Sequence, residues 1–419
     1  MAQVRDVLLL QQREIEGRLG ERYVEREVPP ERLSRDLINV ITGPRRAGKS
    51  FFAMHAVREH GPFGYVNFDD ERLCGLADYD ELVVALDALC GEPRHLLLDE
   101  VQNLPKWELF VNRLQRQGYQ LTITGSNAHL LSSELATHLT GRHAQIVLLP
   151  FSFGEYLRSL GGERTQAELV EALRGYAEVG GYPEPLLKEI DRREYLRTLV
   201  HSILYKDIVA RHRIRAPQSL DDLASYLMSN TAQECSLNRL ARMARFKGVH
   251  TVEKYLRCLE EAFLFFSVRR FSPKFREQVR ANRKSYCIDN GLVTAASFRI
   301  SPDTGKLYEN LVAIALHRRR LEGELELYFW KGEQQHEVDF VVKRGPQVRQ
   351  LIQVCADVSD PRTKAREVRA LLKASEELKC RDLLVVTESE DREERASWFG
   401  LEGVVRFVPL WRWLAAPTP

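Results

Sequence analysis

No apolar run in this sequence approaches the roughly 20 residues that a bilayer-spanning helix needs, which excludes a helical membrane anchor. Cysteine is sparse and scattered: seven residues, at positions 74, 90, 235, 258, 287, 355 and 380, an odd number with no C-x-x-C pair. That pattern argues against a disulfide framework or a zinc site, and it predicts reduced thiols in a cytoplasm. The opening Met1-Ala2-Gln3-Val4-Arg5-Asp6 carries an acid, and Leu8-Leu9-Leu10 runs straight into Gln11-Gln12. An apolar leader core and a cleavage site are both missing, so a cytoplasmic protein without membrane contact is expected. Internal repeats and low-complexity tracts are also missing, so the chain is not a solenoid or a linker.

What is present is ordinary globular material: 419 residues, 44% hydrophobic and 29% charged, which predicts two to four domains. The net charge of +2 is unevenly spread. Between Ser236 and Lys284 stand 13 Lys/Arg against 4 Asp/Glu, a local balance of +9, leaving about −7 for the rest. Such a concentration is the footprint expected of a polyanion-binding segment, although a solvated charged face would look the same.

The most specific signal is Gly43-Pro44-Arg45-Arg46-Ala47-Gly48-Lys49-Ser50, followed by Phe51. It matches G-x-x-x-x-G-K-[ST] between an apolar strand-like run at 37–41 and an apolar helix-like run. Glycines let backbone N–H groups close around phosphate oxygens, and a helix starting near Lys49 adds the positive end of its dipole. The expected ligand is ATP with Mg²⁺, bound by residues 43–51, with Lys49 at the β- and γ-phosphates and Ser50 on the metal.

From 36 to about 150, β-like runs at 37–41, 63–68, 95–98, 121–124 and 145–149 alternate with helical stretches, which predicts a parallel α/β sheet with nucleotide at its carboxyl ends. His95-Leu96-Leu97-Leu98-Asp99-Glu100, about fifty residues after the loop, reads as a buried strand ending in two acids. Asp99 is the expected second metal ligand and Glu100 the general base. Leu121-Thr122-Ile123-Thr124-Gly125-Ser126-Asn127 reads as a strand ending in small polar residues, and Asn127 (or Ser126) is the candidate for positioning the attacking water. Arg142, in Leu139-Thr140-Gly141-Arg142-His143, is a candidate finger acting on a neighbouring subunit's phosphates; the plainer alternative is an arginine complementing a helix dipole.

These motifs resemble prokaryotic AAA+-type ATPases that carry a degenerate nuclease-like region at the C-terminus. The resemblance rests on residues 43–50, 96–100, 124–127 and 140–142, with Leu149-Pro150-Phe151-Ser152-Phe153 and Gly180-Gly181-Tyr182-Pro183. Further matches are 305–310, Glu337-Val338-Asp339-Phe340 and Val408-Pro409-Leu410-Trp411. It implies an α/β P-loop AAA+ core at 37–150 behind an N-terminal helical lead-in at 1–36. A helical lid at 151–215, a winged helix at 216–295 and a restriction-endonuclease-like α/β domain at 296–419 would follow. It is also similar to STAND-type switch ATPases and, more distantly, to Holliday-junction motors.

In the basic segment, a short helix capped by Ser236, a turn at Lys247-Gly248 and a second helix from about 250 to 260 form a helix-turn-helix pattern. Val252, Tyr255, Leu256 and Leu259 are expected to face inward. The candidate DNA contacts are Arg239, Arg242, Lys247, Lys254 and Arg257 on the helices, and Arg269, Arg270, Lys274 and Arg276 on or beside a wing. No Arg/Asn/Gln array promises base readout, so phosphate and shape contacts are expected. In the tail, Glu309 falls on a helix and Asp339 ends a strand, but the E-x-K positions of a nuclease read Gln353-Val354-Cys355. Asp339 is therefore expected to lack both its carboxylate partner and its lysine, and cleavage is not expected.

The leading expectation is an ATP-dependent DNA motor or remodeller, with branched DNA such as Holliday junctions among its candidate substrates. It would work as a homo-oligomer, with a hexamer among the candidate assemblies. The alternatives are a nucleotide switch that holds a protein partner and, behind it, an ATP-regulated nuclease.

Overall fold

Alternating apolar residues in short runs produce strands whose two faces feed two separate cores. β1 (Ile38–Thr42), β2 (Phe63–Asn67), β3 (His95–Asp99), β4 (Gln120–Gly125) and β5 (His143–Val147) form one sheet in the order β2-β3-β4-β1-β5, and every pairing is parallel. Ile38, Val40, Val66, Leu96, Leu98, Leu121 and Ile123 enter one cluster, while Ile41, Tyr65, Leu97 and Ile146 enter the other, the period of two that a strand imposes. The computed structural model describes residues 2–416 apart from 74, 77, 127–138, 140, 247, 297–302 and 334–335. It divides into two units, Met1–Leu149 and Pro150–Pro419, described separately below.

In the first unit, α2 (Lys49–Arg58) packs on one face of the sheet, and α3 (Asp80–Cys90) and α4 (Trp107–Arg116) supply the other core. The N-terminal helix α1 (Ala2–Arg18) does not stand apart as a lead-in. Val4, Val7 and Leu8 enter the first cluster and Ile15 the second. Its Gln11 amide also satisfies the edge strand: Nε2 donates to Asn67 O at 3.1 Å, and Asn67 N–H donates to Oε1 at 3.0 Å. The last residue of that edge strand therefore has both of its backbone groups paired.

β4 lies between the phosphate-loop strand β1 and the acidic strand β3, so all three carboxyl ends open on the same side of the sheet. This is the switch-point geometry at which open α/β sheets bind ligands.

The second unit begins with helices Phe153–Leu160, Gln166–Val179, Pro183–Leu187 and Arg192–Ser202, the last continuing as a π-helical stretch over Ile203–Ala210. Ser152 with Glu155, and Thr165 with Glu168, each close a reciprocal capping box at the start of a helix. The Gly180-Gly181 pair is a close-packing point. A Cβ on Gly181 would lie 2.2 Å from Phe151 O, and its N–H donates to Asp289 Oδ2 at 2.6 Å.

Next come helix Pro217–Ser229, β6 (Gln233–Cys235), helices Leu237–Met243 and Val249–Glu261, and the strand pair β7 (Phe265–Arg270) and β8 (Arg283–Cys287). Helix Phe275–Arg280 separates the last two strands. The tail supplies helix Thr304–Leu321, β9 (Glu326–Lys331), β10 (Glu337–Arg344), β11 (Gln347–Val354), helix Pro361–Leu378, β12 (Leu383–Thr387), β13 (Arg392–Trp398), β14 (Leu401–Pro409) and helix Leu410–Ala415.

Among the described residues, the nine strands of this unit form one sheet, in the order β13-β14-β12-β11-β10-β9-β7-β8-β6. The join is a parallel pairing of β7 with β9, Arg269 opposite Tyr328 and Arg270 opposite Phe329, extended by Phe271 N–H donating to Phe329 O at 2.6 Å. The strand pair after the two short helices and the sheet of the tail therefore share one hydrogen-bonded surface. Among the described residues, no helix is long and apolar enough to cross a membrane.

Candidate nucleotide site and a lysine–carboxylate centre

The loop between β1 and α2 folds back on itself before the helix starts. Ala47 N–H donates to Pro44 O at 3.3 Å, and Gly48 adopts φ +90° as the residue before the helix. Gly43 has φ +146°, and a Cβ there would sit 2.0 Å from Leu148 O, so only glycine fits. Lys49 is buried, with its ammonium 3.0 Å from Pro44 O and 4.0 Å from Glu100 Oε1. Phe51 is half-buried, 5.5 Å from the His55 ring and 6.1 Å from the Tyr23 ring, while Arg45 is half-buried and Arg46 exposed.

Asp99, at the end of β3, is ringed by hydroxyls. Ser50 Oγ donates at 2.8 Å, Tyr65 Oη at 2.9 Å, and Thr124 Oγ1 from β4 donates to the same carboxylate. Burial, and then the neighbouring Glu100 charge, push the Asp99 carboxyl above its usual range against those hydrogen bonds. For Glu100 the balance goes the other way. Burial opposes its ionisation, but Lys49, the Gln102 amide, Arg45 and Ser126 together hold it below the usual carboxylate range. Of the two adjacent acids, Glu100 is thus the one kept as a ready base, and Asp99 gains most from a cation beside it.

The donors present suit a magnesium–nucleotide ligand. Ser50 and Asp99 offer hard oxygens at one point, and Lys49 and the loop offer cationic and backbone donors beside it.

Other expected residues fall as follows. Asn127 lies outside the described residues. Ser126, the other candidate at that position, is buried and hydrogen-bonds the Glu100 side chain. Arg142 does not join the cluster. It is exposed, and its carbonyl accepts from Ile38 N–H at 3.2 Å, at the opposite end of β1 from the loop. Four strand steps place it about 13 Å along the sheet from Thr42.

Arg26 was not foreseen. It is buried, donating to Ala47 O at 2.9 Å and to Leu149 O at 2.5 Å, so it ties the phosphate loop to the segment after β5. No spacing rule points to an arginine that caps carbonyls from an irregular segment. Arg26→Ala strands two buried acceptors and should cost about 3 kcal/mol in the folded ATPase unit, with weaker nucleotide binding. Denaturant titration followed by fluorescent-nucleotide binding checks both.

In the second unit, Ser236 caps helix Leu237–Met243 by accepting from Arg239 N–H. Arg239, Arg242, Lys254 and Arg257 are exposed, as are Arg269, Lys274 and Arg276; Lys247 lies outside the described residues. Arg270 is half-buried and donates to Lys331 O at 2.5 Å, so it serves the sheet join rather than an open surface. Leu256 is only half-buried; Cys258 takes the inward place beside Val252, Tyr255 and Leu259.

The tail overturns the expectation that Asp339 stands without a carboxylate partner or a lysine. Glu309, from helix Thr304–Leu321, joins it, and the lysine comes from β8. Lys284 Nζ lies 2.9 Å from Glu309 Oε1, 3.0 Å from Asp339 Oδ1 and 2.6 Å from Glu337 Oε1. Gln353 sits where the second acid was sought, accepting from Asp339 N–H at 3.2 Å and donating to Glu367 of helix Pro361–Leu378. Burial, then Glu367, push the Cys355 thiol up to about 11, so it stays neutral where the lysine was sought. A motif search along β11 misses this centre because its lysine lies 55 residues before Asp339.

Residues 35–157 match the family described as an AAA domain; 170–304 and 304–413 match two domains of unknown function, DUF8612 and DUF4143. The uncharacterized protein MJ1544 of Methanocaldococcus jannaschii is 31% identical over 395 residues, covering 90% of this chain and 88% of its own. An uncharacterized protein of Haemophilus influenzae is 29% identical over 330 residues, 75% of this chain and 81% of that one. A solved Walker-type ATPase of Pyrococcus abyssi is similar over 65% of this chain and 96% of its own, with 16% identity and a TM-score of 0.44.

Proposed function

The chain belongs to the family of this archaeal relative and carries an AAA-type P-loop ATPase domain, and from that premise we propose that it hydrolyses ATP to drive a DNA-remodelling step as a homo-oligomer. The observation that carries the hydrolytic part is the unequal pair Asp99 and Glu100. Asp99 accepts from three hydroxyls, Ser50 among them, and Glu100 lies 4.0 Å from the Lys49 ammonium. Magnesium–ATP, when bound, supplies the scissile phosphoanhydride bond. Ser50 and Asp99 would hold the metal, and Lys49 and the 43–48 backbone would hold the phosphates. Glu100 accepts the proton of the attacking water, while Ser126 fixes the orientation of its carboxylate.

Arg142 is the finger in this reading. Its place at the far end of β1 keeps it from its own loop, so it serves a second copy of the chain. The DNA part rests on the exposed cations of the two short helices and the strand that follows, read here as a winged helix. They offer charge without a base-reading array, so recognition is of phosphate and shape.

Forked or four-way DNA should stimulate ATP turnover. Its affinity should fall steeply with salt, on the order of 10³-fold between 50 and 200 mM if about six phosphates are neutralised. Alanine at Arg239, Arg242, Lys254 and Arg257 together should flatten that salt dependence without changing DNA-free turnover. Slow turnover indifferent to every DNA would mark a nucleotide switch that holds a protein partner, and would sink the motor reading.

A further inference from the structure

Lys284 is a buried ammonium, its side chain only 3% exposed, on the strand β8 that precedes the tail. Its ammonium donates to Glu309 on a helix and to Asp339 in β10, and it forms an ion pair with Glu337 at the start of β10, 2.6 Å away. Three carboxylates thus surround one ammonium, which has three donors and no acceptor. Two further donors reach the same acids. Tyr286 Oη donates to Glu309 Oε1 at 2.8 Å, and Val354 N–H donates to Asp339 Oδ2 at 3.0 Å.

Three carboxylates converging on one point are the donor set of a hard divalent cation, which needs several free oxygens at 2.0 to 2.6 Å. Here the point on which the three acids converge is already filled by the Lys284 ammonium, which supplies the positive charge a metal ion would bring. Without a cation the three acids would repel one another in a low-dielectric interior. Burial, then Asp339, push the Glu309 carboxyl above its usual range even with the lysine present, in keeping with that crowding. The neutral Gln353 amide, held between Asp339 N–H and Glu367, adds no negative charge to bring in a second cation.

We propose that Lys284 is a tethered cation occupying a divalent-metal seat. The centre formed by Glu309, Glu337 and Asp339 takes this ammonium as its permanent ligand and excludes Mg²⁺ and Mn²⁺. The centre is therefore a fixed electrostatic joint, and it performs no metal-assisted hydrolysis. The inference is independent of the ATPase reading, since none of these residues belongs to the nucleotide site.

Mn²⁺ titration of the full chain, followed by electron paramagnetic resonance, tests it. The number of Mn²⁺ bound per wild-type chain should be unchanged by Asp339→Asn or Glu309→Gln, because neither side chain is a metal ligand while Lys284 is in place. Lys284→Met should gain one Mn²⁺ per chain, and Lys284→Met with Asp339→Asn should lose it again. A wild-type Mn²⁺ site that disappears with Glu309→Gln or Asp339→Asn would overturn the proposal. So would a Lys284→Met protein that folds, with ATP turnover retained, and binds no additional ion. Should Lys284→Met fail to fold, the comparison of wild type with Glu309→Gln still decides whether the seat is open to metal.

Discussion

Glu100→Gln should leave nucleotide binding intact and slow ATP turnover by about 10²- to 10⁴-fold, the range over which a positioned general base contributes. The substitution keeps the shape and the hydrogen-bonding reach of the side chain, but an amide cannot take the proton of the attacking water. The electrostatics make this residue, not its neighbour, the decisive one. Glu100 is kept ionised against its burial by Lys49, Gln102, Arg45 and Ser126, whereas Asp99 is raised and satisfied by three hydroxyls. Lys49→Ala provides the contrast, because it removes the buried ammonium and should abolish binding itself. Filter binding and phosphate release on the two variants separate the cases; a Glu100→Gln protein that hydrolyses at the wild-type rate removes the base from the scheme.

Arg142→Ala should reduce turnover about 10³-fold in the assembled protein while each chain still binds nucleotide, as expected for an arginine stabilising charge on the transferring phosphoryl group. The strand geometry makes the trans assignment testable. Arg142 immediately precedes β5 and its carbonyl accepts from Ile38 N–H, and the phosphate loop follows Thr42 at the other end of β1. Mixing Arg142→Ala chains with Lys49→Ala chains should restore part of the activity that each lacks alone, since some interfaces then combine an intact loop with an intact arginine. Recovery absent at every mixing ratio, with assembly demonstrated, would assign Arg142 to the fold alone.

How much could be read beforehand depended on whether a contact constrains a short stretch of chain. The phosphate loop was legible because its geometry excludes most residues at fixed spacing, as at Gly43, where a Cβ would strike Leu148 O. The five parallel strands were legible from their apolar runs, with ends displaced by one or two residues. The last hairpin was not. β13 carries Arg392, Glu393, Glu394 and Arg395 at the sheet edge, where charge replaces the apolar alternation that marks a strand. Arg26 and Lys284 escaped for a related reason: each satisfies groups far away in sequence, and such contacts leave no period or motif behind. The short helix Phe275–Arg280, between β7 and β8, likewise replaced what read as plain wing.

The parallel pairing of β7 with β9 has a consequence for how this chain can change over generations. Cutting the polypeptide between β8 and the helix at Thr304–Leu321 would strip β7 and β9 of their shared ladder and leave two raw strand edges open to other chains. It would also part Lys284 from all three of its acids, leaving an unpaired ammonium on one fragment and crowded carboxylates on the other. Recombination can trade modules only where few interactions cross the seam. Here the seam is a hydrogen-bonded ladder with a buried charge cluster beside it, so the basic segment and the tail should be inherited together or lost together.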